Sequence, residues 1–340
     1  MGTLLPQILI NTRALLSDLM AKTAFITGIA GQDGSYLAEL LLEKGYTVYG
    51  LTMSCGEDCS RIEQIKDRVE LIKGDLTDRE SLNAAVKTAE PDEVYNLAAS
   101  ASVAASFSKP LLVGDVVGLG AVRLIEAVKN HAPDAKLMQA SSSEIFGDTK
   151  ISPQNELTPL QPKSPYGVAK AYAHLMLKHY RNAESMFTSS CILYNHESPR
   201  RSPEYVTRKI TVGVARISLG LQDKIALGNL DGRRDWGYAP EYVDAMWRTL
   251  QQKEPDDFVI ATGVTHTVRE FLEEACRVAG LRDPMSIVTL NQSNLRPADP
   301  TTLVGDASKA KEAFGWESKV SFTQLVKIMV EHDLKSGNEC

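Results

Sequence analysis

The chain has 340 residues, of which 43% are hydrophobic and 24% are charged, and this composition excludes a disordered, collagen-like or disulfide-scaffold protein. Its 37 basic and 43 acidic residues give a net charge of −6, which argues against a general binder of nucleic acids or membrane surfaces. The length suggests roughly two domains or one large α/β unit. An anionic ligand would therefore have to be held by local basic residues.

The five cysteines are scattered, and none forms a CxxC pair or a cysteine–histidine cluster with metal-binding spacing. We therefore expect reduced thiols in a cytoplasmic protein and no bound metal. No run of about 18 apolar residues indicates a membrane span. Residues 1–20 lack the features of a signal peptide, and we interpret them as a leader outside the fold, with the natural start at Met20.

Short apolar runs alternate with segments of helical periodicity from residue 24 to residue 195. This alternation predicts right-handed βαβ units and a parallel sheet covered on both faces. The predicted strands are Ala24–Thr27, Thr47–Leu51, Val69–Lys73, Glu93–Leu97, Lys136–Ala140 and Thr188–Asn195. The predicted helices are Ser35–Lys44, a helix capped by Asp78 that runs through Ala89, Val122–Lys129 and Pro165–Arg181.

After Asn195 the regular alternation ends in loops rich in Arg, Pro and Gly. The elements predicted there are the helices Val206–Leu219, Glu241–Gln252, Val268–Leu281 and Phe322–Leu334 and the strand Asp257–Thr262. We predict an α/β fold with a Rossmann-type doubly wound parallel sheet over residues 21–195 plus about 241–262. A smaller, discontinuous and mostly helical C-terminal lobe would comprise about residues 196–240 and 263–335 and bind the substrate.

A glycine-rich turn joins the first predicted strand to the first predicted helix, with Gly28, Gly31 and Gly34 spaced three residues apart. Such glycines allow a tight turn and a close approach of the backbone to a pyrophosphate at the helix N-terminus. The dinucleotide site predicted from this turn consists of Gly28, Ile29, Ala30, Gly31, Gln32, Asp33 and Gly34. The GxxGxxG spacing resembles that of the short-chain dehydrogenase/reductase superfamily.

Two further segments fit this resemblance. It implies that Asp75 and Leu76 contact the adenine, and that the backbone of Leu97, Ala98, Ala99 and Ser100 passes under the cofactor. At the end of the second strand an acid would favour NAD and an Arg would favour NADP, but Met53 and Ser54 stand there. Arg61 is the nearest candidate for a 2′-phosphate, and we interpret it as a solvated residue.

Two polar motifs follow the fifth predicted strand. Tyr166 and Lys170 are four residues apart on a predicted helix, so the phenol and the ammonium share one face, and the lysine charge should lower the phenol pKa. Ser142 and Glu144 lie at the carboxyl end of the strand, where open α/β sheets bind ligands. We predict that Tyr166 is a base for a sugar hydroxyl and Glu144 a second base. The alternatives are a surface helix pair and a solvated or helix-capping acid.

The chain closely resembles the GDP-mannose 4,6-dehydratase family over about residues 22–335. The matching segments are Thr27–Ser35, Gln139–Gly147, Ser164–Lys170, Tyr194–Arg201, Val206–Thr211, Gly228–Gly237, Phe258–Val264, Leu295–Ala298 and Gly315-Trp316. The NHESP and RDWG motifs are specific to this family within the superfamily. The chain departs from the family at Ser100-Ala101, where the family has Gln-Ser, and at Met53-Ser54, which replaces an Arg pair.

The resemblance implies a role for each matching residue. Ser142 would hydrogen-bond the sugar O4, Tyr166 would deprotonate it, Glu144 would act at C5, and Lys170 would hold the nicotinamide ribose. His196 and Arg201 would contact the dinucleotide, which we expect to be NADP, with NAD possible. The residues expected to hold the GDP-hexose are Asn195, Lys209, Arg234, Arg296 and Asp299.

We therefore expect a nucleotide-sugar 4,6-dehydratase, a hydro-lyase that acts on GDP-D-mannose with a tightly bound NADP(H). A homodimer or homotetramer is expected, without nucleic-acid or membrane partners. Two alternatives stay open: a GDP-sugar 4-reductase or epimerase on the same fold, and a non-catalytic nucleotide-binding sensor or scaffold. Turnover without added reduced cofactor distinguishes the dehydratase from a reductase, which would stop, and from a sensor, which would not react.

Overall fold

The computed structural model describes residues 21–53, 59–99, 102–291 and 303–337. The expected leader, residues 1–20, therefore lies outside the described residues, as do Ser54, Ser100, Arg296 and Asp299. None of the described helices combines the length and the apolar character that a membrane span requires.

Strands and helices are numbered in chain order. The strands are β1 (Thr23–Thr27), β2 (Thr47–Thr52), β3 (Val69–Lys73), β4 (Glu93–Asn96), β5 (Lys136–Ser142), β6 (Thr188–Leu193), β7 (Asn195–Glu197), β8 (Ile225–Leu227), β9 (Arg233–Tyr238), β10 (Phe258–Ile260), β11 (Thr265–Thr267) and β12 (Val288–Leu290). The helices are α1 (Gln32–Glu43), α2 (Arg79–Ala89), α3 (Val103–Ser106), α4 (Pro110–Val113), α5 (Gly120–His131), α6 (Pro165–Glu184), α7 (Val206–Ser218), α8 (Ala239–Leu250), α9 (Val268–Val278), α10 (Ser308–Phe314) and α11 (Phe322–Gly337).

Seven parallel strands form the central sheet in the order β10–β6–β5–β4–β1–β2–β3. The chain builds outward from β1 to β3, crosses back to β4 and then builds outward in the other direction. This reversal between β1 and β4 is the switch point of a doubly wound sheet, beside which such folds bind ligands. The predicted Rossmann-type fold is confirmed.

Two apolar layers cover the two faces of this sheet. Met138 and Ala140 of β5 belong to the cluster that contains core residues of α1 and α8. Leu137, which points to the opposite face of the same strand, belongs to the cluster formed with α2, α5 and α6. Strands buried on both faces read as nearly continuous apolar runs, which is why the sequence pattern located them.

The C-terminal lobe has its own apolar cluster, in which Ile210 of α7, Phe271 of α9 and Met329 of α11 meet around Trp236. It also contains two small sheets that the sequence pattern did not predict, one in the order β11–β9–β7 and one formed by β8 and β12. Four of these five strands have three residues each, too few to show an alternating pattern. The domain boundaries drawn from the sequence stay a prediction.

Several element boundaries differ from the predicted ones. Helix α1 begins at Gln32 and not at Ser35, so Gln32 and Asp33 lie in its first turn. Strand β6 ends at Leu193, because Asn195 leaves the central sheet and pairs with Trp236 in β9. Helix α2 begins as predicted, since the Asp78 side chain accepts hydrogen bonds from the backbone N–H groups of Glu80 and Ser81.

Asp235, of the RDWG motif, connects β9 to the segment after β10. Its fully buried carboxylate accepts hydrogen bonds from the backbone N–H of Thr262 (2.9 Å), the Thr262 hydroxyl (2.6 Å) and the backbone N–H groups of Gly263 (2.9 Å) and Gly305 (3.4 Å). Burial raises the pKa of this carboxyl, and the four hydrogen bonds oppose the rise. Asp235 is thus a structural acceptor that fixes three loop residues.

Replacing Asp235 with Asn should destabilise the fold by roughly 3 kcal/mol, because an amide nitrogen would face N–H donors that now contact a carboxylate. Urea denaturation measures the change. Asp231→Asn is a matched control, since the Asp231 side chain is 80% exposed in its pair with Arg269. Equal stability of the two variants would show that the Asp235 carboxylate is not needed to hold Thr262, Gly263 and Gly305.

Candidate active site

A cavity of about 420 Å³ lies at the carboxyl ends of the central strands, between the sheet and the C-terminal lobe. Its position is the one expected for a ligand site in an open α/β sheet. From the sheet side the predicted site residues that line it are Asp33, Leu97, Ala99, Ser142, Glu144, Tyr166 and Lys170. From the lobe they are Asn195, His196, Arg201, Lys209 and Arg234.

The glycine-rich loop packs too closely for side chains at two of its positions. Gly28 has a φ of +72°, and a Cβ added to it would lie 2.9 Å from Ala98 Cα. A Cβ at Gly34 would lie 2.2 Å from the carbonyl oxygen of Gly28. The N-cap of α1, Gly31, offers no side chain to the first turn. This open, uncapped helix start has the form that binds a pyrophosphate.

Gln32 and Asp33 hold the segment that follows β6. The Gln32 amide donates to the His196 carbonyl oxygen (3.1 Å) and accepts from the Ser198 hydroxyl (2.9 Å). The His196 ring has Nε2 at 2.9 Å from Asp33 Oδ2 and Nδ1 at 2.7 Å from the Tyr194 carbonyl oxygen. Both partners are acceptors only, so the two hydrogen bonds form together when the ring is an imidazolium that donates from both nitrogens.

The pKa values of this pair move apart. Burial alone would raise the pKa of Asp33, but the charge and hydrogen bond of His196 outweigh it and lower the value to about 2. Burial alone would lower the pKa of His196, but Asp33 raises it above its usual value. The polar atoms of His196 are thus engaged within the protein. The predicted contacts of Gln32, Asp33 and His196 with the dinucleotide stay predictions.

Glu144 reaches the cavity on a short 3-10 turn, Ser143–Ile145, which begins where β5 ends. The sequence analysis placed it on the strand beside Ser142. Instead, the Ser142 hydroxyl caps the turn by accepting a hydrogen bond from the backbone N–H of Glu144 at 3.3 Å. The turn therefore brings the hydroxyl and the carboxylate to the same cavity wall by a different local geometry from the one expected.

Tyr166 and Lys170 lie one turn apart on α6, and both side chains are buried. The Lys170 ammonium donates to the Ala140 carbonyl oxygen at 2.6 Å and lies 5.7 Å from the centre of the Tyr166 ring. Burial lowers the pKa of Lys170 to about 8. The two residues thus occupy one face of the helix, as predicted.

The sequence predicted that Lys170 lowers the pKa of Tyr166. With the protein's own groups alone, the pKa of Tyr166 is raised instead. Burial raises the pKa of Tyr166 well above its usual value, and Tyr205 and Glu144 raise it further. A hydrogen bond with Ser142 and the charge of Arg201 act in the opposite direction. Desolvation dominates because the phenolate would be buried in an apolar layer.

A sequence profile described as GDP-mannose 4,6 dehydratase matches residues 25–329. The chain belongs to this family. It is 50% identical over 327 residues to GDP-mannose 4,6 dehydratase 2 of Arabidopsis thaliana, covering 92% of this chain and 87% of that protein. It is 44% identical over 354 residues to the GDP-mannose 4,6-dehydratase of Yersinia enterocolitica, covering 94% and 95%.

Solved structures share the whole fold. The UDP-glucose 4-epimerase of Thermus thermophilus, a complex with NAD, is 28% identical with a TM-score of 0.81 and covers 91% of this chain and 98% of its own. The dTDP-glucose 4,6-dehydratase of Bacillus anthracis, in complex with NAD, is 24% identical with a TM-score of 0.81 and coverage of 94% and 98%. At 24% identity, the similarity to the Bacillus enzyme is evidence for the fold only.

Arg61 is not the solvated residue that the sequence indicated. Its Nε donates to the Arg200 carbonyl oxygen at 2.8 Å, and its Nη1 lies 3.5 Å from the Ala30 carbonyl oxygen. The guanidinium is thereby held against the glycine-rich loop. The sequence could not indicate this, because Arg200 lies 139 positions away.

Two other predicted cofactor residues make contacts within the protein. The Leu76 side chain is buried in the core with Leu124 of α5, and the Asp75 carboxylate accepts a hydrogen bond from the Thr77 backbone N–H at 2.8 Å. The predicted adenine contacts of Asp75 and Leu76 stay predictions.

Arg296, Asp299 and Ser100 lie outside the described residues. Among the described residues, no group of three or more His, Cys, Asp or Glu side chains is placed to hold a metal ion.

The sequence analysis missed Tyr205, which lines the same cavity. Its ring lies beneath Arg201, with 3.7 Å between the guanidinium carbon and the ring centre. Arg201 Nε also lies 3.3 Å from Glu197 Oε2. The only available signal was the position of Tyr205 shortly after the two arginines that end the NHESP segment.

Asp33→Asn should destabilise the protein by about 1.5–3 kcal/mol at pH values at which both Asp33 and His196 are charged in the folded protein. The raised pKa of His196 gives stability that is present below about pH 6.5 and lost as pH rises through the folded value. The lowered pKa of Asp33 gives stability that is present above its ordinary value of 3.8 and lost as pH falls through about 2.

The loss caused by Asp33→Asn should therefore be larger at pH 5.5 than at pH 9. Urea denaturation of the cofactor-free protein at both pH values measures it, with Asp231→Asn as the exposed control. A pH-independent loss would mean that His196 is not charged in the folded protein.

Proposed function

We propose that the chain converts GDP-D-mannose to GDP-4-keto-6-deoxy-D-mannose with loss of water, using NADP. The observation that carries this function is one cavity lined by Ser142, Glu144, Tyr166 and Lys170, in a chain that belongs to the GDP-mannose 4,6-dehydratase family. An oxidation–elimination–reduction sequence needs one base at O4 and another at C5, and Tyr166 and Glu144 supply the two.

The glycine cradle and the uncapped start of α1 fit a nicotinamide dinucleotide, with the pyrophosphate at the helix N-terminus. When bound, this cofactor would carry the hydride from C4 to C6, and the positive charge of its oxidised ring would favour the phenolate of Tyr166. Lys170, which lines the same cavity, would hold the nicotinamide ribose. The NAD complex of the Thermus epimerase supports this class of cofactor.

The protein's residues act in a fixed order. Tyr166 accepts the O4 proton, while Ser142, which is hydrogen-bonded to Tyr166, holds the same oxygen. The ketone at C4 then acidifies the C5 hydrogen, which Glu144 removes as the C6 hydroxyl leaves. Because the two bases lie on α6 and on the turn after β5, one can act on O4 and the other on the C5 hydrogen of one bound sugar.

Basic and polar residues of the lobe would hold the GDP part. Asn195, Lys209 and Arg234 line the cavity opposite the catalytic residues. Diphosphates are bound by Arg guanidinium groups, which donate two parallel hydrogen bonds, and by Lys ammonium groups, which act as point charges. Since the chain as a whole is acidic, this local set would supply the attraction for the anionic substrate.

Glu144→Gln should block elimination but spare the first oxidation, because an amide cannot accept the C5 proton whereas Ser142, Tyr166 and Lys170 remain. Reduced cofactor, absorbing at about 340 nm, should then accumulate on the enzyme together with a 4-keto sugar that retains its C6 hydroxyl. Absorbance and mass spectrometry detect both.

Tyr166→Phe is the contrasting variant for Glu144→Gln, because it removes the first base and should yield neither species, with turnover reduced by about 10²–10⁴-fold. Wild-type turnover in the absence of added reduced cofactor excludes a 4-reductase. A wild-type dehydration rate in Glu144→Gln would show that another group takes the C5 proton.

The choice of NADP is supported by the position of Arg61 over the glycine-rich loop. Arg61→Ala should weaken NADP by roughly 10–100-fold relative to NAD, since a hydrogen bond to a charged group contributes about 1.5–3 kcal/mol. Calorimetric titration of the cofactor-free protein with both dinucleotides measures this ratio. The control is Arg68→Ala, which removes an exposed arginine at the end of the 3-10 helix Ser60–Arg68 that also contains Arg61. Equal ratios in the two variants would exclude Arg61 as the 2′-phosphate ligand.

An assembly of at least two copies, the expected homodimer or homotetramer, is supported by an apolar surface on two neighbouring helical segments. On α4, Leu111 is 89% exposed and Leu112 48% exposed, and on α6, Val168 and Leu175 are 55% and 54% exposed. The chain that continues from α4 packs against α6, because a Cβ at Gly118 would lie 3.3 Å from Cδ1 of Tyr172. Burying this surface against a second copy would remove it from water.

A further inference from the structure

Tyr205 stands at a position where tyrosine is unfavourable for the local structure. It is the N-cap of α7, and its side chain accepts no hydrogen bond from the first turn of that helix. Ser, Thr, Asp and Asn are preferred at this position because they can make that bond. A residue that breaks a local rule while lining a reactive cavity indicates a role in the cavity.

The ring of Tyr205 is held in place by Arg201 and Glu197. The Arg201 guanidinium lies over the ring at 3.7 Å, and the same side chain lies 3.3 Å from Glu197 Oε2. Glu197 in turn accepts a hydrogen bond from the Thr207 hydroxyl in the first turn of α7. The contact with Arg201 uses the face of the ring, and Tyr205 itself lines the cavity.

Arg201 also acts on Tyr166, so one cation serves two phenols. Burial raises the pKa of both phenols, the charge of Arg201 opposes the rise at each, and a phenolate on Tyr205 would raise the pKa of Tyr166 further. A single guanidinium can balance one phenolate, and a second would be repelled by the first. The arrangement therefore accommodates at most one phenolate between the two tyrosines.

We propose that Tyr205 is a further catalytic residue, the acid that protonates the C6 hydroxyl as it leaves. This inference rests on the proposed function. It means that Glu144, which removes the C5 proton, need not also protonate the leaving C6 hydroxyl. Tyr205 and Glu144 line the same cavity, so the leaving oxygen and the C5 hydrogen can be reached by different groups. With Tyr205 as the acid, Glu144 keeps the C5 proton and is available to return it.

The protons and electrons balance in this scheme. Tyr166, as the phenolate, takes the O4 proton while C4 is oxidised by loss of hydride. Glu144 takes the C5 proton, the C5–H electron pair forms the C5–C6 double bond, and the C6–O bond breaks with its electrons on oxygen. That oxygen takes the Tyr205 proton and leaves as water.

The second half of the cycle restores every group. C6 is reduced by the same hydride, and Glu144 returns its proton to C5. The O4 proton then passes from Tyr166 to Tyr205, which leaves Tyr166 as the phenolate again. The net loss is the C6 hydroxyl and the O4 proton, which is one water. At no stage does Arg201 face more than one phenolate.

Tyr205→Phe tests this role because it removes only the hydroxyl and keeps the ring under Arg201. Turnover of GDP-mannose should fall about 10²-fold or more, the usual effect of losing a general acid. Reduced cofactor absorbing at about 340 nm and a 4-keto sugar with its C6 hydroxyl should accumulate, since oxidation at C4 does not need Tyr205. The thermal unfolding midpoint should not change. Tyr49→Phe, which removes a phenol on β2 outside the cavity, should behave as wild type.

Two outcomes would overturn the role of Tyr205. Wild-type turnover in Tyr205→Phe would show that its hydroxyl is not needed. Lost turnover without reduced cofactor would show that Tyr205 acts only through Tyr166. Either result leaves the proposed function intact if the wild-type enzyme still dehydrates GDP-mannose, whereas failure of the wild-type enzyme with that sugar would count against the proposed function itself.

Discussion

The ion pair between Asp33 and His196 is the interaction on which the geometry of the site depends. It joins the first turn of α1 to the segment that leaves the central sheet after β6, across 163 positions of sequence. Both ring nitrogens of His196 are engaged, and the ring stacks on Tyr242 at 4.7 Å. Because Asn195 and Arg201 flank this histidine, the pair fixes the lobe residues of the cavity relative to the glycine-rich loop.

Burial sets the acid–base chemistry at the centre of the cavity. It raises the pKa of Tyr166, so the phenol is neutral near pH 7, and it lowers the pKa of Lys170 to about 8, so the ammonium loses its proton more easily than a lysine in water. A site of this kind changes its protonation state when charged ligands enter it. Arg201 is the protein cation that favours the Tyr166 phenolate, and it is shared with Tyr205.

The residues of the RDWG motif divide between structural roles and the cavity. Asp235 and Trp236 of the RDWG motif are buried, one in a set of backbone hydrogen bonds and the other in the core of the lobe. Arg234, immediately before them, reaches the cavity. Alternation along β9 separates Asp235 from Arg234 and Trp236, which both line the cavity, since successive side chains point to opposite faces of a strand.

The sequence by itself determined the seven-stranded architecture, the glycine-rich loop and the Tyr166–Lys170 pair, because each depends on spacing within a few neighbouring residues. Only the tertiary structure decided that His196 is bonded to Asp33, that Arg61 lies on the loop and that Tyr205 shares a cation with Tyr166. These pairings join segments far apart in the chain, and strands of three residues are too short to show a period. Contacts of this kind are selected by packing and desolvation, which no local pattern records.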